Sequence, residues 1–133
     1  MIVTGSCFCG SIAYKIEGEL RDGKSCHCQQ CRKAFSSQAS AYATVDPEQF
    51  SWTEGEQYLT SYESQKTSDG LLFCSKCGST LCGTSAGEVS GVTLGCVNGN
   101  PDVSIGMHIF VGSKAAWEVM PDNVIQYEEG PPV

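Results

Sequence analysis

Basic residues are scarce in this sequence, which has eight Lys and Arg among its 133 residues against fifteen Asp and Glu. The formal net charge is therefore −7. Binding of nucleic acid needs clustered cations that neutralise phosphates, and docking on anionic lipid needs a similar cluster. The shortage argues against both nucleic acid and a membrane surface as partners.

Long apolar runs are also missing. No stretch approaches the ~20 residues that a membrane-spanning helix needs, and residues 1–6 show neither the basic nor the apolar region of a secretory signal. Linkers rich in Pro or Ser, internal repeats and low-complexity tracts are absent as well. We therefore expect a cytoplasmic protein that forms a single domain over residues 1–133.

Helical periodicity is nearly absent, whereas short alternating segments punctuated by fifteen Gly and five Pro are frequent. This pattern predicts a mainly β fold. The predicted strands cover residues 11–17, 40–45, 56–64, 66–74, 89–94 and 105–111. Helix is expected only as single turns at residues 30–35 or 46–49, and residues 127–133 are expected to form a loosely held end.

Cysteine is what the sequence has in excess, with nine among 133 residues. Such a density indicates either the disulfides of a secreted protein or the metal ligands and reactive thiols of an intracellular one. The odd count and the missing secretory signal favour thiols and metal over disulfides. Seven of the nine fall into three close sets: Cys7 and Cys9; Cys26, Cys28 and Cys31; Cys74 and Cys77.

The last set has the spacing of a zinc knuckle, because two residues separate Cys74 from Cys77 and Gly78 follows them. A tight turn of this kind aims both sulfurs at one point, but tetrahedral zinc needs four ligands. Cys7 and Cys9 are the simplest second pair, since a strand's period of two would put both on one face. The pattern predicts a closed, structural four-sulfur zinc site.

The middle set supplies three sulfurs, from Cys26, Cys28 and Cys31. Structural zinc sites are filled by protein ligands, whereas catalytic sites keep one position open for water or substrate. Three ligands are the catalytic number, although the residues alone leave a structural role open. Cys82 or Cys96 could close the site from a distance; otherwise both are expected to be small buried residues.

The two histidines are interpreted as packing residues. His27 lies between Cys26 and Cys28, and strand alternation points its side chain away from both, which favours a supporting role over metal binding. His108 lies within an apolar segment, where a core histidine is the first interpretation and a pocket residue the second.

Four segments together resemble the glutathione-dependent formaldehyde-activating family. These are residues 5–14 (GSCFCGSIAY), 26–34 (CHCQQCRKA), 73–81 (FCSKCGSTL) and 108–117 (HIFVGSKAAW). The chain departs from the family pattern at residues 96–101, where Leu-Asp-Asp-Pro is usual, and at Ala116, where Pro often precedes the Trp. These departures put the substrate in question more than the fold.

The resemblance implies a zinc-stabilised fold of mainly antiparallel β-sheets, like that of the Rab-exchange chaperone superfamily. It implies a structural zinc held by Cys7, Cys9, Cys74 and Cys77. It implies a reactive zinc held by Cys26, Cys28 and Cys31. The family reaction is the reversible addition of the glutathione thiol to formaldehyde, which gives S-(hydroxymethyl)glutathione and is classed as a carbon–sulfur lyase activity. A small-molecule thiol and an aldehyde would then be the partners.

Arg32 and Lys33 follow the middle set directly and are candidates for binding a glutathione carboxylate or offsetting the thiolate charge; a solvated basic pair is the alternative. Two other functions stay open at this point. One is a lyase or hydrolase that acts on a different thiol adduct. The other is a non-catalytic zinc module that binds a protein partner.

Overall fold

A computed structural model describes residues 1–132, and its secondary structure is mainly β. In chain order the elements are β1 (Ile2–Ser6), β2 (Ala13–Glu17), β3 (Arg21–Cys26), α1 (Gln29–Phe35), β4 (Ser40–Thr44), β5 (Phe50–Glu54), β6 (Leu59–Glu63), β7 (Asp69–Cys74), β8 (Thr80–Ser85), β9 (Glu88–Thr93), β10 (Met107–Ile109) and β11 (Ile125–Gln126). Short 3-10 turns separate some of them, at Pro47–Gln49, Glu56–Tyr58, Leu94–Cys96 and Val111–Ser113. The prediction of a mainly β protein is confirmed.

Two sheets make up the fold. The smaller has the order β1–β2–β5, and the larger has the order β11–β10–β3–β4–β9–β8–β7–β6. Every pairing is antiparallel except those of β10, which runs parallel to both β3 and β11. The parallel pairing beside β3 places the chain after β10 next to α1.

The predicted strands all overlap observed ones, namely β2, β4, β6, β7, β9 and β10. Both proposed helical turns are also present, one as the seven-residue α1 and one as the turn Pro47–Gln49. The sequence pattern missed β1, β3, β5, β8 and β11. Strand β3 shows why: its sequence RDGKSC has no apolar alternation, and its register with β4 shifts between Arg21 and Lys24. No helix among residues 1–132 has the length and apolar character needed to cross a membrane.

The core of the smaller sheet is organised around one aromatic ring. Tyr14 is 1% exposed and packs against Phe50 and Trp52, with ring centroids 5.0 and 6.0 Å away. Gly5 lies opposite Tyr14 in the β1–β2 register, and the Tyr14 ring occupies the space that a Cβ at Gly5 would need. A side chain at Gly5 would therefore displace the ring from the core.

The expectation of a loosely held end is wrong for residues 127–129. Tyr127 donates its backbone N–H to the carbonyl of His108 over 2.9 Å, and Phe110 donates to the carbonyl of Glu129 over 2.9 Å. Strand β11 extends the edge of the larger sheet just before this point, so the backbone that follows finds partners on the segment after β10. Val133 lies outside the described residues.

Candidate metal centres

Four cysteines from two distant turns meet in one group, called here the four-cysteine group. Cys7 and Cys9 lie in the turn between β1 and β2. Cys74 ends β7, and Cys77 lies in the turn before β8. All four sulfurs lie within 4.8 Å of one another, with 3.7 Å between Cys7 and Cys9 and 3.9 Å between Cys9 and Cys74. Tetrahedral zinc with Zn–S bonds of about 2.3 Å has sulfur–sulfur edges of about 3.8 Å, so the group fits zinc.

A turn brings Cys7 and Cys9 together. The two-residue period of a strand is not the cause, because β1 ends at Ser6. Gly10 donates its backbone N–H to the carbonyl of Cys7 over 3.1 Å, and its φ of 78° lies in the left-handed region that glycine adopts without strain. The two side chains meet as predicted, but for a different local reason.

Hydrogen bonds to sulfur favour thiolates in the four-cysteine group. The backbone N–H of Ile12 donates to the sulfur of Cys7 over 3.3 Å. The sulfur of Cys77 lies 3.4 Å from the hydroxyl oxygen of Ser79, and hydrogen bonding with the side chain and backbone of Ser79 and the backbone of Cys9 lowers the pKa of Cys77 to about 5 against the effect of burial. Burial acts in the opposite direction at Cys74 and raises its pKa. The group thus contains readily ionised thiols, the form that binds zinc.

The second group, called here the three-cysteine group, is built at the junction of β3 and α1. Cys26 is the last residue of β3, Cys28 is the N-cap of α1, and Cys31 lies in its first turn. The N–H of Cys31 donates to the sulfur of Cys28 over 3.3 Å, and all three sulfurs lie within 4.8 Å of one another. Among residues 1–132 this group has no fourth His, Cys, Asp or Glu ligand. Cys82 and Cys96 belong to neither group, so they do not close the site.

One sulfur of the three-cysteine group is selected for ionisation. The thiol of Cys31 donates a hydrogen bond to Cys26, and this bond lowers the pKa of Cys26 most. Further hydrogen bonds from Cys28 and the positive charge of Lys24 act in the same direction, so the pKa of Cys26 is about 6 despite burial. The pKa of Cys31 is raised, because it is the donor of that hydrogen bond and is buried. Three soft sulfur donors, two of them half-buried, therefore lie within 4.8 Å of one another.

The two histidines form a buried chain with a carboxylate. The Nε2 of His27 lies 2.8 Å from the Nδ1 of His108, and the Nδ1 of His27 lies 3.6 Å from a carboxylate oxygen of Glu118. Burial lowers the pKa of His27, which favours the neutral form of its ring. In the β3–β10 register His108 is paired with Ser25 and not with Cys26, so the rings lie on the strand face opposite the Cys26 sulfur. His27 packs as expected, His108 is a core histidine, and Glu118 had no signal in the sequence.

Arg32 and Lys33 lie on a different face of α1 from Cys31. Arg32 donates from Nη1 to the carbonyl of Ser113 over 3.0 Å, and its guanidinium lies 5.3 Å from the ring centroid of Trp117. Lys33 is exposed. Both line an open depression of about 380 Å³ whose walls are Gln29, Arg32, Lys33, Ser36, Ser37 and Trp117. Arg32 therefore holds the C-terminal segment as one wall of this depression.

Comparison with known proteins gives one family and one fold. The family model described as glutathione-dependent formaldehyde-activating enzyme matches residues 2–113. No curated protein matches the chain. A crystal structure of a Rhodobacter sphaeroides protein is similar over 93% of this chain and 98% of that chain, with a TM-score of 0.58 and 20% sequence identity. At that identity the likeness concerns the fold.

Proposed function

Since the chain belongs to the glutathione-dependent formaldehyde-activating enzyme family, we propose that it is a zinc-dependent carbon–sulfur lyase. It would reversibly join the thiol of glutathione to formaldehyde and give S-(hydroxymethyl)glutathione. The observation that carries this proposal is the three-cysteine group, in which three sulfurs converge without a fourth protein ligand among residues 1–132. The nine free thiols support a reducing compartment, the cytoplasm, for this activity.

The two groups have different tasks in this proposal. The four-cysteine group holds a structural zinc, because it is closed and joins segments that are 65 residues apart. Cys26, Cys28 and Cys31 hold the reactive one. Zinc bound there would keep an incoming thiol deprotonated and fixed in place beside the aldehyde.

The protein's own contribution is to position the reactants. The junction of β3 and α1 holds the three sulfurs together, and with zinc bound there the glutathione sulfur would supply a fourth ligand. An aldehyde carbon held about 3 to 3.5 Å from that sulfur is in attack geometry. The carbon–sulfur bond forms as the carbonyl π bond opens, the oxygen takes a proton from solvent in place of the one that the thiol released, and the reverse reaction breaks the carbon–sulfur bond.

The depression on α1 supports binding of one end of glutathione. Lys33 offers an exposed ammonium group there, and Trp117, which is 70% exposed, offers an apolar wall. Arg32 and Lys33 are thus proposed as the residues that receive a carboxylate, with Arg32 also holding Trp117 in place. Their positive charges would offset part of the thiolate charge nearby.

A metal titration tests this function. Protein loaded with Co²⁺ should bind two ions per chain, and millimolar glutathione should change the sulfur-to-metal absorption of one of them. Cys28→Ser should keep one ion and lose the response, whereas Cys96→Ser, outside both groups, should behave like the wild type. A single ion per chain that ignores glutathione would instead favour a zinc module that binds a protein partner.

Turnover needs a separate measurement, because formaldehyde also adds to thiols without an enzyme. Exchange NMR should show faster interconversion of free glutathione and its hydroxymethyl adduct with the zinc-loaded wild type than with Cys28→Ser. If only other adducts in a panel of thiol conjugates react faster, the enzyme is a lyase or hydrolase with a different substrate.

A further inference from the structure

A lysine and a tyrosine share a strand face with the three-cysteine group. In the β3–β4 register Lys24 is paired with Tyr42, and Cys26 is paired with Ser40. Paired residues and residues two apart on one strand point to the same side of a sheet, so these four side chains lie on one face. Diagonal neighbours on such a face are about 7–8 Å apart, within reach of long and aromatic side chains. Lys24 and Tyr42 therefore flank Cys26 along the sheet.

The side chains of Lys24 and Tyr42 lie against each other. The ammonium group of Lys24 lies 5.8 Å from the ring centroid of Tyr42, and both residues are half-buried. Within residues 1–132 the ion pair is Lys15 with Glu17, and Glu118 faces the ring of His27, so Lys24 has no carboxylate partner. A cation that has no carboxylate partner and lies beside three thiols is available to an anionic ligand.

The phenol of Tyr42 is a hydrogen-bond donor in this setting. Burial and the negative charges of Cys26, Cys31 and Cys28 raise the pKa of Tyr42 to about 12, so the hydroxyl keeps its proton at neutral pH. In the β3–β4 register Tyr42 is the diagonal neighbour of Cys26.

The charge of the whole molecule makes a local cation necessary. The formal net charge is −7 before any cysteine ionises, and a dication bound by three thiolates leaves a further negative charge. Glutathione is also an anion, with a carboxylate at each end and its thiol between them. The depression beside Lys33 has none of the three cysteines in its lining, and the function proposed above places one end of glutathione there.

We propose that Lys24 and Tyr42 form a second carboxylate subsite, on the β3–β4 face beside Cys26, which selects anionic thiols over neutral ones. The inference rests on the function proposed above, since it concerns the thiol that approaches the three-cysteine group. The Lys24 ammonium pairs with the carboxylate, and the Tyr42 hydroxyl donates a hydrogen bond to it.

Binding of two thiols to Co²⁺-loaded protein tests this subsite. Glutathione is the anionic probe and 2-mercaptoethanol the neutral one, both followed by the sulfur-to-metal absorption. Lys24→Gln should weaken glutathione binding by about fivefold, as for a half-exposed ion pair, and leave 2-mercaptoethanol binding unchanged. Tyr42→Phe should weaken glutathione selectively as well. The glutathione defect of Lys24→Gln should shrink in 1 M salt, where charges are screened.

The matched control is Lys66→Gln, which removes the same charge from the exposed turn between β6 and β7 and should change neither affinity. Equal weakening of both thiols by Lys24→Gln, or no weakening of either, would overturn the subsite while leaving the proposed function standing. If neither thiol changes the wild-type spectrum, the proposed function fails, and the subsite with it.

Discussion

Replacing one cysteine in each group separates the structural role from the reactive one. Cys77→Ser removes a ligand from the four-cysteine group, which joins the β1–β2 turn to the β7–β8 turn. Cys28→Ser removes a ligand from the three-cysteine group, which is confined to residues 26–31. We expect the first substitution to cost most of the stability of the fold, and the second to abolish thiol binding with the fold intact.

The length of chain that each group closes gives the magnitude. Cys9 and Cys74 lie 65 residues apart, and a cross-link over such a loop contributes about 4 kcal/mol on the loop-closure relation used for disulfides. Cys26 and Cys31 are five residues apart, which gives about 2 kcal/mol on the same relation. Domains are stable by roughly 5–15 kcal/mol, so the first loss removes about twice as large a fraction of the total as the second.

Thermal unfolding of zinc-loaded variants, followed by circular dichroism, measures the difference. Cys77→Ser should lower the Tm by about 15 °C or more, and Cys28→Ser by less than about 8 °C. Cys96→Ser is the matched control, because it exchanges sulfur for oxygen outside both groups. Elemental analysis should find one zinc fewer per chain in each of the first two variants and none fewer in the control. Loss of structure in Cys28→Ser as complete as in Cys77→Ser would refute the reasoning.

Three further substitutions probe the packing around the two groups. Gly5→Ala should lower the free energy of unfolding, measured in urea, by about 1–3 kcal/mol, because the new Cβ meets the ring of Tyr14. Gly95→Ala is the control and should leave the free energy of unfolding unchanged, because a Cβ at Gly95 lies in open space. Burial raises the pKa of Cys82 above its ordinary 9.0, so this thiol ionises first in the unfolded chain. The free energy of unfolding should therefore fall above about pH 9, by up to ~1.4 kcal/mol per pH unit. Cys82→Ala should remove this contribution to the pH dependence between about pH 8 and 10. Glu118→Ala and Glu118→Gln should both lower the pKa of the His27 ring further, because the carboxylate 3.6 Å from its Nδ1 raises that pKa against the effect of burial. The titration is followed by ¹⁵N NMR, and an unchanged His27 pKa in Glu118→Ala would contradict the assigned contact.

Local spacing is what made the two cysteine groups predictable from the sequence. The three-cysteine group lies within six consecutive residues, and the knuckle of Cys74 and Cys77 lies within four. Backbone turns of this length leave few ways to arrange the sulfurs, so the spacing carries most of the geometry. The meeting of the knuckle with Cys7 and Cys9 needed an additional argument, the number of ligands that zinc requires.

Contacts between distant segments were not predictable in the same way. His27 meets His108 across 81 residues of sequence, and Arg32 meets Ser113 across the same separation. Nothing in the local composition of residues 108–118 distinguishes Glu118 from a surface carboxylate. The position of Lys24 beside Cys26 was not predictable for a related reason. Strand β3 lacks the apolar alternation that identifies a strand, so its sequence does not show which residues share a face with Cys26.

The parallel pairing of β10 with β3 accounts for most of what the sequence did not reveal. Because the two strands run in the same direction, the chain leaving β10 emerges at the same end of the sheet as the chain leaving β3, where α1 begins. An antiparallel pairing would have carried the segment after β10 to the opposite end. The observed direction delivers Ser113 and Trp117 to Arg32, and Glu118 to His27. The parallel direction of β10 thus places Trp117 in the wall of the depression and Glu118 beside His27, which lies between Cys26 and Cys28.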